Sequence, residues 1–386
     1  MRVMITGARA PVALDWASRI KKHDHDSFVV MTDSLKFPLG RFSKNSDIYI
    51  KTSSPRFSPN DYIKELLNVI NLYKINLIIP TCEEIFYISK YKEYFPQNCL
   101  QLFDNFNKLS MLHNKFTFFN IFDESEKIKK PKTFYLNNSQ EFLKWCKNNN
   151  IDNYIIKPVF SRFGSEFINK IDETKLDHRY PIIAQQKLTG IEFCSYAISV
   201  FGKVVAYSCY NPKYRAGPGA GIYFDLHQSS VIENFCEDFV KKINYTGQIA
   251  FDFFQDQNGK IYPIECNPRG TSGLHLLPRD LNLVDNILKI PEFVNKNLSP
   301  QRKNKKSIQV MFAMILFSFK YLKNQKLTLL KDFFTTPDVY GIIGEKHLHF
   351  FQIISFFEIF LRSFKYGFDL KKTSTIDIEW DGNEIL

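Results

Sequence analysis

Apolar and polar positions in the first hundred residues alternate between two periods. Short apolar runs, RVMIT (2–6), SFVVMT (27–32) and NLIIPT (76–81), have the length and β-branched content of buried strands. Between them, APVALDWASRI (10–20) and SPNDYIKELLNVINLY (58–73) repeat their apolar residues at helical spacing. Strand and helix in alternation predict a parallel α/β unit over 1–105. Residues 106–133 read as a helix followed by a Lys/Pro-rich break. Beyond 134 the pattern changes to paired β segments, YIIKPV (154–159), PIIAQQ (181–186), EFCSYAIS (192–199) and KVVAYSCY (203–210), as an α+β region with antiparallel or mixed sheets requires. Residues 291–386 form a distinct tail containing VMFAMILFSF (310–319) and HFFQIISFFEIFLRSFKYG (349–367). No apolar run reaches the ~18–20 residues of a membrane span.

The stretch GQIAFDFFQDQNGKIYPIECNPRGTSG (247–273) is the most informative part of the chain. Asn-Gly between two β-like runs predicts a two-residue hairpin turn at Asn258-Gly259, both residues at positive φ. Gln257 then faces Lys260, Asp252 lies opposite Glu265, and Ala250 lies opposite Asn267. Side chains alternate faces along a strand, so Asp252, Glu265 and Asn267 share one face. Phe251, Phe253, Ile264 and Cys266 share the other, as a core face. Like charges directly opposite repel. Three converging oxygen-bearing side chains are the set a hard cation such as Mg²⁺ takes; the competing reading is a solvated hairpin face. Pro263 cannot donate to a ladder and implies an edge strand or a bulge.

Composition narrows the classes without choosing among them. At 386 residues, 44% apolar and 24% charged, the chain suits two or three packed units of ordinary globular type. The net charge of +11 is diffuse except in 301–331, where Lys and Arg occur with no Asp or Glu. Nucleic acid, an anionic membrane surface or a polyanionic small molecule would each fit that excess. The cysteines form no C-x-x-C pair and the N-terminus has no long apolar leader, so a reducing, cytoplasmic setting is expected.

Four further motifs could carry chemistry. TGARAPVALDW puts Gly7 between a strand and a helix, where amides can hold an anion, but it has one glycine of G-x-G-x-x-G. Asp33, closing the second strand, could bind a ribose in such a fold. YIIKPVFSRFGSE ends a buried run on Lys157, followed by Ser161, Arg162, Gly164 and Ser165 as a donor-rich loop suited to phosphates. IIAQQKLTGIE offers Gln185 and Gln186 for an adenine edge and Glu192 for ribose hydroxyls, or else a polar hinge between strands. YNPKYRAGPGAGIYF, with Lys213 and Arg215 among three glycines, reads as a mobile lid or a plain surface loop.

These motifs, in this order, resemble the ATP-grasp superfamily over roughly residues 1–285. The resemblance implies an α/β N-terminal pre-ATP-grasp domain (1–105), followed by α+β ATP-grasp lobes at 106–185 and 186–290 with mixed or antiparallel sheets. The second lobe would carry the metal-binding hairpin, and 291–386 would be a C-terminal basic and aromatic extension. It implies ATP and Mg²⁺ as cofactors, with two ions expected and Mn²⁺ as a substitute. Carried over by position, Asp252, Glu265 and Asn267 become the metal ligands, Glu265 bridging both ions. Lys115 in LHNKF and Lys157 become the phosphate lysines, and Glu192 the ribose acid. Gln185 stands where many members have a glutamate that accepts the adenine amino proton. Arg269 would contact the transferred phosphoryl or the acyl intermediate, aided by Arg215. SRFGSE is poorer in glycine than the usual phosphate loop.

The implied activity is ADP-forming ligation, in which a carboxylate is activated as an acyl phosphate and joined to an amine or similar nucleophile. Alternatives are phosphoryl transfer alone, a nucleotide-binding regulator, or a peripheral membrane module acting through the extension. Partners are then small-molecule carboxylate and amine substrates, with no nucleic acid. A weak anionic-membrane contact through 301–331 and a homodimer are both compatible with the sequence.

Overall fold

A computed structural model describes residues 1–160, 180–217, 219–280, 282–288 and 307–385. The early apolar runs become strands buried on both faces. β1 (Arg2–Thr6), β2 (Phe28–Asp33), β3 (Ile48–Lys51), β4 (Leu77–Ile79) and β5 (Leu100–Gln101) lie parallel in the order β3-β2-β1-β4-β5. Val3, Ile5, Val29 and Ile79 feed one core while Met4, Val30 and Ile78 feed another, which is why these strands do not alternate in sequence. α1 (Pro11–His23) covers the first face, and α2 (Pro59–Tyr73) and α3 (Glu84–Lys90) cover the second. α1 and α2 both start on a proline, whose missing N–H costs nothing at that position.

α4 (Phe106–His113) leads to a three-stranded antiparallel sheet. β6 (Thr133–Leu136), β7 (Tyr154–Pro158) and β8 (Ile182–Gln186) are ordered β6-β8-β7, and α5 (Ser139–Asn148) packs Phe142 and Trp145 against it. The third sheet has six strands. β9 (Ile191–Val200), β10 (Lys203–Ala216), β11 (Ala220–His227), β12 (Gly247–Gln255), β13 (Ile261–Asn267) and β14 (Ser307–Gln309) run β13-β12-β9-β10-β11-β14. α6 (Ser230–Lys242) lays Phe235 and Phe239 against Phe251 at 5.3 and 4.8 Å, closing the core under the hairpin β12–β13.

The expected lid is largely strand. β10 continues to Ala216 and β11 begins at Ala220, so Lys213 and Arg215 project from a ladder. Fully buried Tyr214 packs with Ile222, Tyr223 and Met314, and this apolar alternation outweighs the glycines. The tail is no free appendage either. α7 (Leu283–Leu288), just ahead of it, packs on α1, and within it β14 extends the large sheet beside β11. There follow α8 (Met311–Phe317), α9 (Leu322–Thr335), α10 (Val339–Ile342), α11 (Leu348–Tyr366) and α12 (Leu370–Thr373). Residues 374–385 then return to the first domain. Asp377 accepts from the Arg9 guanidinium at 2.6 Å, and Trp380 packs on Phe86, Phe106 and Phe160 at 4.9, 5.2 and 4.8 Å. Among the described residues no helix is long and apolar enough to cross a membrane.

Candidate functional site

The hairpin reaches the expected pairing by an unexpected route. Asp252 lies opposite Glu265 and Ala250 opposite Asn267. The turn, however, has three residues: Asp256 N donates to Lys260 O at 2.9 Å, and of the tip residues Gly259 alone (φ +75°) is left-handed. Asp256 accounts for the difference, because its carboxylate accepts from the amides of Asn258 and Lys260 at 2.9 and 2.8 Å. The longer turn shifts the pairing, so that Phe253 faces Pro263. A bulge at Ile264 shifts it back. Pro263 therefore sits both on an edge strand and beside a bulge, where a missing N–H is tolerated. Ile264 leaves the core face for which its spacing marked it, and its freed carbonyl accepts from Gln185 Nε2 at 3.4 Å.

Neighbouring segments bring cations to this face. β9 places Cys194 opposite Asp252 and Glu192 opposite Phe254, so both project with the hairpin acids. Lys115, buried in the loop after α4, holds its Nζ 3.9 Å from Glu265. Lys157, buried on β7, donates to Gln185 Oε1 at 3.1 Å. Asn267 donates its amide to Glu265 at 3.2 Å and accepts from Arg269 at 3.1 Å. Arg215 is ion-paired with Glu192.

The charges here are mutually perturbed. Burial and the facing Glu265 push the Asp252 carboxyl up to about 7, against a hydrogen bond from the Cys194 thiol. Burial works the same way on Glu265, but Lys115, Lys157 and Arg269 hold it below its ordinary value. Burial pushes Lys157 down to about 8 despite the attraction of Glu265, and Lys115 adds to the fall. Burial raises Glu192, with Arg215 opposing. Such a set can accept a cation between its carboxylates and polyanionic oxygens on its lysines. Among the described residues no three His, Cys, Asp or Glu side chains form a metal centre by themselves. Two carboxylates and an amide fit an ion such as Mg²⁺, which completes its shell with water and phosphate.

Several sequence-predicted residues lie elsewhere. Gln186 is exposed on the opposite face of β8, its Oε1 accepting from Lys132 N at 3.1 Å, because adjacent strand residues point apart. Ser161, Arg162, Gly164 and Ser165 lie outside the described residues. Asp33 does not face a ligand space: it is buried against Arg9, and it also takes the Arg9 amide at 2.8 Å near the start of α1. The Gly7 loop is closed by its own domain, since a Cβ at Gly7 would stand 2.7 Å from Thr81 Oγ1. Glu83 escaped the sequence reading. It is fully buried just past β4, with Oε1 3.4 Å from Arg269 Nε. Two acids directly after a buried strand, PTCEE, were the available signal. Glu84 is structural, accepting from Thr6 Oγ1 at 2.7 Å and from the Thr81 amide at 3.0 Å.

No protein-family model and no curated protein matches the chain, but solved structures do. N5-carboxyaminoimidazole synthetase from Staphylococcus aureus, complexed with ADP, superposes with a TM-score of 0.60 at 13% identity, over 84% of this chain and 86% of that one. L-amino acid ligase from Bacillus licheniformis gives 0.55 at 12% identity, over 75% and 74%. The biotin carboxylase domain dimer of Hydrogenobacter thermophilus 2-oxoglutarate carboxylase, in complex with MgADP, ADP and bicarbonate, gives 0.55 at 12% identity, over 75% and 70%. The chain has the ATP-grasp fold, with a parallel α/β N-terminal domain ahead of antiparallel sheets.

Proposed function

We propose that the chain is an ATP- and Mg²⁺-dependent ligase that activates a carboxylate as an acyl phosphate and joins it to an amine or similar nucleophile, releasing ADP and phosphate. The observation that carries this reading is the meeting of Asp252, Glu265 and Asn267 with Lys115, Lys157 and Arg269 on one sheet face. The ADP and MgADP complexes of proteins with this fold support the choice of nucleotide and ion. Asp252, Glu265 and Asn267 would hold Mg²⁺, or Mn²⁺ in its place, with Glu265 shared by a second ion. When bound, the metal supplies charge neutralisation for the triphosphate and the transferring phosphoryl group.

Lys115 and Lys157 would hold phosphate oxygens. Gln185 would keep Lys157 in place with one lone pair of Oε1 and offer the other to the adenine amino group. Glu192 would take ribose hydroxyls, with Arg215 fixing its position. Arg269 would face the carboxylate as it becomes an acyl phosphate. Glu83, on the other side of Arg269, lies at the strand-order reversal between β1 and β4, where open α/β sheets take their ligands. The small-molecule acid and amine would bind on the Arg269 side of Glu83.

The test is ADP release over a panel of carboxylates, repeated with hydroxylamine to trap the acyl phosphate as a hydroxamate. Acid-dependent ADP and hydroxamate are expected, both lost in a Glu265→Ala, Asn267→Ala double variant. Hydroxamate that persists in that variant overturns the site. ADP release with no hydroxamate indicates phosphoryl transfer alone, and absence of turnover with retained ATP binding indicates a regulator.

A further inference from the structure

Helix α11 carries two kinds of apolar side chain. Phe351 stacks on Phe42 of the α/β domain at 4.1 Å and Phe356 meets Phe312 of α8 at 6.2 Å, seating the helix on both. Phe350, Ile353, Phe357, Leu361 and Phe364 recur at intervals of three and four and stay in water, Phe350 66% and Phe364 71% exposed. That spacing is one face of a helix, here 19 residues and so about 28 Å long. Exposed apolar surface this continuous marks an interaction site.

Charge selects the occupant. The acids packed beneath the helix are turned inward, and the exposed Asp369 just past its end caps α12. Glu358 accepts from the amides of Lys36 and Phe37 at 2.8 and 2.7 Å and pairs with Arg362. Glu345 is buried against Ser43 and Asn45. The cations flanking the helix are exposed: Lys346 and Lys365 at its two ends, and Lys36 and Arg41 at its side over Phe37, have no carboxylate partner among the described residues. A second copy of the chain docked on this stripe would set these cations against one another. An anionic surface would satisfy them.

We propose that α11 docks this protein on the surface of an anionic lipid bilayer. The helix lies in the interface plane with its stripe at the headgroup–acyl boundary and its flanking cations on the lipid phosphates. Attachment is peripheral and reversible, since the helix is held by Phe42 and Phe312 and inserts side chains only.

Flotation of the full-length protein with vesicles tests this. Binding is expected to equimolar phosphatidylcholine and phosphatidylglycerol, weak to phosphatidylcholine alone, and reversed by salt. A Phe357→Asp, Leu361→Asp variant should lose at least about tenfold in partitioning. Lys346→Gln and Lys365→Gln should each lose about fivefold. Unchanged thermal midpoints in all these exposed-site variants would show that folding is not the cause. Equal flotation of wild type and the stripe variant overturns the proposal, as does failure to float. So does a stripe variant that turns a lipid-free dimer into a monomer in sedimentation velocity without any vesicle binding by the wild type, which would assign the face to a second copy.

Discussion

Two buried charge clusters in this protein contain similar residues and behave oppositely. At the contact of α1 with the 272–279 turn, Asp15 accepts from Arg19 at 3.0 Å and from His275 at 2.8 Å, and it also pairs with Arg279. Arg19 spends its remaining donors on the carbonyls of Leu274, Leu277 and Pro278. Against the cost of burial, Arg19, the hydrogen bond with His275 and Arg279 hold Asp15 well below the usual carboxylate range. In the hairpin cluster Glu265 is likewise held low, but Asp252 and Lys157 are displaced toward neutrality, Asp252 up to about 7 and Lys157 down to about 8. In the first cluster both Asp15 oxygens are paired within the protein, and the cluster works as scaffold. The second keeps charges that its own protein does not fully compensate, and such charges call for a ligand.

The largest effect should come from breaking the ligand side of that contrast. Glu265→Gln is expected to lower the rate of ADP release about a thousandfold, some 4 kcal/mol of barrier, while the unfolding midpoint stays or rises. Steady-state kinetics and a thermal melt on the same sample decide it. Asp15→Ala is the mirror case. It strands buried cations and should cost about 3 kcal/mol in urea unfolding, while the KM for ATP of the folded fraction is unchanged. Asp377→Asn, which leaves Arg9 its bond to Asp33, should cost about 2 kcal/mol by the same measurement.

The smallest effect is a pH dependence with two opposite signs. Lys157 is lowered to about 8 from an ordinary value of 10.5, so between those values the unfolded chain binds its proton and the folded one does not. Its contribution to stability therefore rises with pH across that window. ATP binding needs the charged lysine, so affinity should fall by up to about tenfold per pH unit above 8. Lys157→Arg should flatten both trends. Stability and affinity moving together would contradict this account of the lysine.

What could be read from the sequence was what depends on local period. The parallel strands, the paired strands after 134 and the shared face of Asp252, Glu265 and Asn267 all follow from periods of two or of 3.6. The turn rule placed positive φ at both Asn258 and Gly259, whereas the two-residue turn with positive φ throughout is Phe201-Gly202 (φ +47° and +72°), which composition does not mark. The face survived because the bulge at Ile264 offset the extra turn residue. Glu83 was hidden for another reason. Its meaning depends on Arg269, which lies far along the chain and reaches it only through packing of separate sheets. The destination of the tail was illegible likewise, since Asp377 and Trp380 are unremarkable until the surface they meet exists.

That return of the chain has a consequence for synthesis. Arg9 and Asp377 are 368 positions apart. At about 5–20 residues per second, a ribosome that has made Arg9 needs about 18 to 74 seconds to deliver its second carboxylate. For that interval Arg9 holds Asp33 alone, with part of its guanidinium unbonded, and Phe86 and Phe106 lack Trp380 over them. A protein cut near residue 290 would keep every proposed ligand in the described residues and still lack the piece that seals the part made first.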